Sequence, residues 1–258
     1  VPLIEIVTEP DMRSPEEARA FLEKVKSILE YTGVSDCKMQ EGSLRCDINV
    51  SVRPEGQKEF GVRSECKNVN SFHAAVRAIR YERDRQIAVL ESGGVVEQET
   101  RRWDDAKGES FVMRSKEEAH DYRYFPEPDL MPIYMDAEEV EAIRASLPEL
   151  PSEKKKRYVT EYGLPKYDAG LLAESLGLAK LFEEAVAAGA AAKTASNWLL
   201  GEISKILNET MLSASDIPFD GKALFELIDL IEKGTITGTI AKQVLPEMFK
   251  GEKGAAEI

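Results

Sequence analysis

Four charged residues are the first candidates for chemistry in this chain: Arg45, Asp47, Glu65 and Lys67. Each lies on the polar side of a segment in which apolar and polar residues alternate. One pairing of the two segments sets Asp47 near Glu65 and Arg45 near Lys67. Like charges opposed on a sheet are destabilising unless something lies between them, and a divalent cation with an anionic ligand would do that. The alternative interpretation is a solvated sheet face with diagonal pairs of arginine and glutamate.

The alternating segments predict a hairpin that positions these four residues. Residues 43–53 are the first strand, and the turn-rich segment Pro54–Gln57 separates it from the second. In the second segment Phe60, Val62 and Cys66 share one side, which we expect to face the core. The opposite side of the hairpin would then carry the charged residues.

Helix signals flank the hairpin on both sides. Ser14 is predicted to cap a helix that ends at Gly33, because a proline and a capping-box glutamate follow the serine. Ser71 is predicted to cap a second helix that ends at Gly93. The first part of the chain is therefore expected to mix strands with helices.

A second hairpin is predicted from residues 95–103 and 109–114. Together these elements indicate an α+β fold, with a mainly antiparallel sheet and helices, and then an all-helical domain. The alanine-rich stretch from Leu172 to Leu207 is predicted to be helical almost throughout. We place the domain boundary near residue 136, which gives domains over 1–136 and 137–258.

Composition limits the classes of function. The chain has 258 residues, 43% of them hydrophobic, and a formal charge of −13, which argues against a broad basic surface for wrapping duplex nucleic acid. Its three cysteines lack Cys-x-x-Cys spacing, so we expect a reducing compartment, and with only two histidines a structural zinc site is not expected. No apolar run approaches the roughly 18 residues that span a membrane. We predict a cytoplasmic protein with no membrane partner.

Common catalytic motifs are missing from the sequence. It contains no phosphate loop of the Gly-x-x-x-x-Gly-Lys-Ser/Thr type, no Gly-x-Gly-x-x-Gly and no Gly-x-Ser-x-Gly. The acidic residues are therefore the candidates for a catalytic role. The apolar run Val1–Val7 opens the chain without a methionine, and the chain trails off after Leu245 without a packing pattern. We therefore expect a fragment that is truncated at both ends.

Four motifs identify a family resemblance. They are Pro2–Pro10, Glu41–Asp47, Lys67–Phe72 and Asp121–Asp129. In the same order and at similar spacing, they closely resemble the family of B subunits of the aspartyl/glutamyl-tRNA amidotransferase, and the resemblance covers almost the whole chain. It implies that the first domain is the later part of a cradle domain with ATP- and magnesium-dependent kinase activity. The helical domain would lead into a tail domain.

The resemblance implies a ligase reaction in a heterotrimeric complex. The family uses ATP to phosphorylate the side-chain carboxylate of glutamate on glutamine tRNA, or of aspartate on asparagine tRNA, and then amidates it. Ammonia would come from a separate amidase, the A subunit, which hydrolyses glutamine, and the small C subunit would complete the assembly. The implied cofactors are ATP and Mg²⁺, and magnesium would offset the repulsion between ATP and an anionic substrate.

The resemblance also assigns residues to this site. Glu5 and Asp47 match acidic positions of the magnesium and ATP site, and Arg45 is a candidate for the nucleotide phosphates or the acyl group. Without the family match, Glu5 would be read as an edge carboxylate on an otherwise buried strand. We expect Glu5 and Asp47 to converge in space.

Further candidates follow from the same resemblance. Glu65 is a third metal candidate and Lys67 a second nucleotide-binding one, while Glu9 is a weaker candidate. The basic cluster Lys154–Arg157 is the one comparable with a tRNA-binding surface, although such a cluster is more often a solvated helix face.

Two other functions remain open from the sequence. The chain could be a non-catalytic module that presents tRNA or assists assembly. It could also be an unrelated metal-dependent hydrolase in which Asp47 and Glu65 act with water. If the amidotransferase interpretation holds, the isolated fragment is expected to lack kinase activity, because metal ligands expected upstream are absent.

Overall fold

A computed structural model describes residues 3–115, 126, 128–251 and 253–258. The chain divides into two compact units. The first comprises Val1–Lys26 and Ser35–Ala142, and the second comprises Ser27–Val34 and Ile143–Ile258. The division of function between residues 1–136 and 137–258 stays a prediction.

The first unit is built on a four-stranded sheet with the strand order β1-β2-β3-β4. The strands are β1 (Cys46–Val50), β2 (Ser64–Val69), β3 (Glu99–Asp104) and β4 (Glu109–Ser115). The pairs β1–β2 and β3–β4 are antiparallel, whereas β2 and β3 run parallel. The predicted α+β class with a mainly antiparallel sheet is confirmed.

Two long helices accompany the sheet, α1 (Pro15–Tyr31) and α2 (Phe72–Glu91). The Ser14 hydroxyl accepts a hydrogen bond from the backbone N–H of Glu17 at 3.1 Å. The Ser71 hydroxyl likewise accepts from the N–H of Ala74 at 2.9 Å. Both serines therefore satisfy a donor that the first helical turn leaves unpaired, and both predicted caps are confirmed.

Helix α2 covers one face of the sheet. Its Ala74, Ala75 and Ala78 pack in one buried cluster with strand residues that include Cys66 and Trp103. Small alanines allow the helix backbone to approach the strands closely, so that the contact is dense. We call this side of the sheet the inner face.

Two predicted strand segments are absent from the sheet. Phe60 and Val62 were expected in the core, but they are 53% and 45% exposed and precede β2, which begins at Ser64. Residues 3–9 form no strand, and Leu3 and Ile4 are exposed. An apolar run becomes a strand only when another strand pairs with its backbone, and none of the described strands does so here.

The second unit is helical. The boundary between the units falls inside α3 (Ala137–Ser146). The helices that follow are α4 (Pro151–Thr160), α5 (Lys166–Glu174), α6 (Leu176–Ala188), α7 (Ala192–Trp198), α8 (Ser204–Thr210), α9 (Gly221–Glu232) and α10 (Gly238–Met248). A π-helical turn, Leu199–Ile203, joins α7 to α8. The core includes the fully buried Tyr158, Phe182 and Leu224. The predicted helical stretch 172–207 is confirmed.

Within the described ranges, none of the helices combines the length and the apolar character that crossing a membrane requires.

Candidate functional site

The side of the sheet opposite α2 carries polar side chains, and we call it the outer face. The register pairs Asn49 with Glu65, Glu65 with Thr100 and Lys67 with Arg102. Because successive side chains of a strand point to opposite faces, these residues lie away from the buried Ile48, Cys66 and Arg101. The outer face comprises Asp47, Asn49, Glu65, Lys67, Thr100 and Arg102.

Lys67 joins two carboxylates on this face. Its Nζ lies 2.5 Å from Oδ2 of Asp47 and 3.1 Å from Oε1 of Glu65. The hydrogen bond to Asp47 is the main cause that raises the pKa of Lys67 above its usual value. Partial burial opposes this shift, and Glu65 adds to it. Glu65 is further fixed by Thr100, whose hydroxyl donates to Oε2 at 2.9 Å.

A bulge in β2 lies beside this group. Cys46 pairs with Val69 and Ile48 pairs with Cys66, so two residues of β2 lie opposite one residue of β1. Asn68 in the bulge adopts a left-handed conformation with φ of 66°, which asparagine tolerates better than most residues. Its Nδ2 donates to the carbonyl oxygen of Trp103 at 2.9 Å and so ties β2 to β3.

The predicted pairing of the hairpin is therefore wrong. Asn49, not Asp47, pairs with Glu65, and Arg45 precedes β1 instead of facing Lys67. Ile48 pairs with Cys66 and Val50 with Ser64, so the register lies two residues from the expected one. The physical reason is the connection between the strands, because β1 already ends at Val50 and β2 begins only at Ser64, and the turn-rich segment Pro54–Gln57 therefore does not fix the pairing. Asp47 and Glu65 are nonetheless linked, through the ammonium group of Lys67.

Charge balance was the reason to expect a cation between the two carboxylates, and Lys67 supplies a cation there. Asp47 is half exposed, with 50% of its side chain accessible, so its oxygens can be reached by a ligand. Two carboxylates suit Mg²⁺, which usually takes one or two carboxylates together with water and substrate phosphates. Among the described residues, no group of three or more His, Cys, Asp or Glu side chains is arranged to hold a metal ion.

The other predicted site residues are exposed. Glu5 and Glu9 lie in the N-terminal segment without regular structure, and Arg45 precedes β1. The geometry of the described residues joins none of these three to the Asp47–Lys67–Glu65 group. Their assignment to the metal and nucleotide site stays a prediction.

The inner face holds a network of buried charges that sequence reasoning missed. Glu82 of α2 is fully buried, and its Oε1 accepts hydrogen bonds from Arg85 at 2.5 Å and from Gln86 at 2.9 Å. Gln86 also donates to the carbonyl oxygen of Val50 at 2.9 Å. The network therefore fixes α2 to β1.

Arg101 of β3 completes this network. Its Nη1 lies 2.5 Å from Glu99, its Nε lies 3.4 Å from Glu82, and it donates to the hydroxyl of Ser110 at 2.7 Å. Burial acts to raise the pKa of Glu82, but hydrogen bonds from Arg85 and Gln86 outweigh it, and the pKa is lowered. A signal was available in the sequence, because Glu82 and Gln86 are one helical turn apart on the side of α2 that faces the sheet.

Two further predictions concern other parts of the chain. Most of the motif Asp121–Asp129 lies outside the described residues. In the cluster Lys154–Arg157, Lys154 and Arg157 each lie 2.5 Å from Glu183, and Arg157 also lies 2.6 Å from Glu149. Half of the basic cluster is thus neutralised within the second unit, which disfavours it as a surface for tRNA.

Comparison with known families matches both ends of the chain. Residues 1–141 match the GatB/GatE catalytic domain, and residues 180–258 match the GatB domain. The first match includes all four strands and the whole outer face.

Curated relatives resemble the chain over almost its full length. The B subunit of the aspartyl/glutamyl-tRNA(Asn/Gln) amidotransferase of Caldicellulosiruptor saccharolyticus is 62% identical over 256 residues, which are 98% of this chain and 53% of the relative. The protein of the same name from Moorella thermoacetica is 54% identical over 258 residues, which are 100% of this chain and 54% of the relative. The chain spans about half the length of the curated relatives it matches.

Proposed function

The chain belongs to the GatB/GatE family of amidotransferase B subunits, and on this premise we propose that its outer face is part of a site for ATP-dependent acyl activation. The substrate would be glutamate attached to glutamine tRNA or aspartate attached to asparagine tRNA. One observation carries the proposal. Within the matched catalytic domain, Asp47, Lys67 and Glu65 meet on a partly exposed face of the sheet.

The chemistry requires activation because a carboxylate is a poor electrophile. A side-chain carboxylate oxygen attacks the γ-phosphorus of ATP, the bond to the bridging oxygen breaks, and ADP leaves with that electron pair. The product is an acyl phosphate. Ammonia then attacks the carbonyl carbon, inorganic phosphate leaves, and the nitrogen loses a proton to give the amide.

The outer face offers suitable groups for the first step. Asp47 and Glu65 would hold Mg²⁺, which when bound neutralises charge on the phosphates. Lys67 would contact phosphate oxygens, and two residues outside the sheet would join it, Arg45 at the phosphates and Glu5 as a further carboxylate. Lys67 already bridges both carboxylates, so it can keep them in position before a nucleotide arrives.

The proposal also includes the partners of the family. Ammonia would be delivered by an amidase, the A subunit, with a small C subunit in a heterotrimer, and the acceptor would be an aminoacyl-tRNA. The expected location remains the cytoplasm. Support comes from family membership alone.

The test is Asp47→Asn in the full-length protein assembled with its partners. We expect ATP-dependent amidation of misacylated tRNA to fall by about 100-fold or more, as when a group that stabilises a transition state is removed. Glutamine hydrolysis by the amidase should remain measurable, since that reaction takes place on another polypeptide. Asp84→Asn, an exposed aspartate on α2, is the matched control and should leave amidation unchanged.

Amidation by Asp47→Asn at the normal rate would overturn the role of Asp47. Of the two alternatives, an unrelated metal-dependent hydrolase is excluded by family membership. The other alternative, a tRNA-presenting module, receives little support from the cluster Lys154–Arg157, because Lys154 and Arg157 are paired with a glutamate.

A further inference from the structure

Arg102 is a cation on the outer face that neither the motifs nor the family resemblance singled out. In the parallel register of β2 and β3 it lies directly beside Lys67, and in the antiparallel register of β3 and β4 it lies beside Phe111. Its side chain is exposed. The row Asp47, Lys67 and Arg102 therefore crosses three neighbouring strands.

The charges of this row do not cancel evenly. Lys67 is engaged with Asp47 and Glu65, whereas Arg102 forms no ion pair with any residue that the structure describes. The preceding residue of β3 shows the contrast. Arg101 points to the inner face, where Glu99 and Glu82 neutralise it.

Arg102 is the cation of this row that has no carboxylate partner among the described residues. Neighbouring strands lie about 4.8 Å apart, so one anion can contact Arg102 and Lys67 together. Because Asp47 and Glu65 already bind Lys67, the guanidinium group of Arg102 would supply most of the attraction for that anion. A guanidinium group suits phosphate, because its planar fork donates two parallel hydrogen bonds.

We propose that Arg102 binds the phosphate groups of the nucleotide, together with Lys67, on the outer face of the sheet. The inference rests on the proposed ATP-dependent activation and adds a binding residue to it. A nucleotide is favoured over the tRNA backbone by Asp47 and Glu65, which repel bare phosphates. A nucleotide triphosphate brings its own divalent cation to these carboxylates, whereas the RNA backbone has to approach them without one.

The experiment compares Arg102→Met, Arg102→Lys and Arg19→Met in the full-length protein assembled with its partners. Arg19 is an exposed arginine on α1 and serves as the matched control. The readouts are KM for ATP, KM for misacylated tRNA and the rate of glutamine hydrolysis. Thermal melts establish that each variant is folded.

Arg102→Met is expected to raise KM for ATP by about 10- to 100-fold, the effect of losing charge-assisted hydrogen bonds. Arg102→Lys should raise it less, because lysine keeps the charge but loses the two-pronged contact. KM for tRNA, glutamine hydrolysis and the Arg19→Met variant should be unchanged.

Two results would overturn this inference. The first is an unchanged KM for ATP in Arg102→Met, and the second is a rise in KM for tRNA alone, which would assign Arg102 to RNA. A failure of the proposed ATP-dependent activation would give different results. In that case the Asp47→Asn variant amidates at the normal rate, or the wild-type complex amidates without ATP, and either result is independent of the Arg102 variants. If Arg102→Met does not fold, the test uses Arg102→Lys. The affinity of the Arg102→Lys complex for a fluorescent ATP analogue is then measured directly, and an affinity equal to that of the wild type would overturn the inference.

Discussion

The two faces of one sheet use charge in opposite ways. On the inner face, Arg101 and Arg85 are bound to the buried Glu82 and to Glu99, so each charge is neutralised inside the protein. On the outer face, Lys67 holds two carboxylates that remain in part accessible, Asp47 more than Glu65. The same strands thus carry a structural network on one side and groups able to meet a ligand on the other.

This difference has an energetic basis. A buried charge without a partner is far more costly than an exposed one, because water no longer solvates it. A functional site needs the opposite property, because its charged groups must exchange their partners for a substrate or a cation. Exposed ion pairs contribute little to stability, so their exchange costs little.

The largest effect is expected from breaking the inner network with Glu82→Ala. Removal of this carboxylate leaves Arg85 and Arg101 without a buried partner, and the free energy of unfolding should fall by about 3–5 kcal/mol. Urea unfolding measures the change. Glu97→Ala, at an exposed position just before β3, is the control and should stay within about 0.5 kcal/mol of the wild type. An equal loss in both variants would contradict the distinction between the faces.

Acid should weaken the inner network in a predictable direction. The pKa of Glu82 is lower in the folded state than in the unfolded chain, so its contribution is fully present above the unfolded pKa, about 4.3. It is lost as pH falls through the folded pKa. Stability should therefore fall less steeply for Glu82→Gln than for wild type as the pH is lowered below about 5. Identical slopes in urea unfolding would show that Glu82 does not titrate in this way.

Sequence reasoning succeeded where local signals decide the structure. Ser14 and Ser71 were identified as caps because hydroxyl groups satisfy unpaired N–H donors within one helical turn. The alternation around Asp47 correctly separated the two faces of β1. These features depend on residues only a few positions apart.

Sequence reasoning failed where distant residues decide the structure. The register of the hairpin follows from the long connection between Val50 and Ser64, and the bulge at Asn68 is supported by a hydrogen bond to Trp103, 35 residues away. The parallel pairing of β2 with β3 was not predicted either, because it joins strands separated by α2. The inner network escaped notice for the same reason, since Glu82 meets Arg101 only in the folded sheet.

A much smaller effect on stability than that of Glu82→Ala is expected for Lys67→Met, and this variant tests the central claim most directly. The pairs of Lys67 with Asp47 and Glu65 are partly exposed, so the free energy of unfolding should change by no more than about 1 kcal/mol. The decisive measurement is ATP-dependent amidation of misacylated tRNA by the full-length complex that carries Lys67→Met. The account predicts that amidation falls by about 100-fold while stability is nearly unchanged. Normal amidation, or a loss of amidation that merely follows a loss of folding, would contradict it.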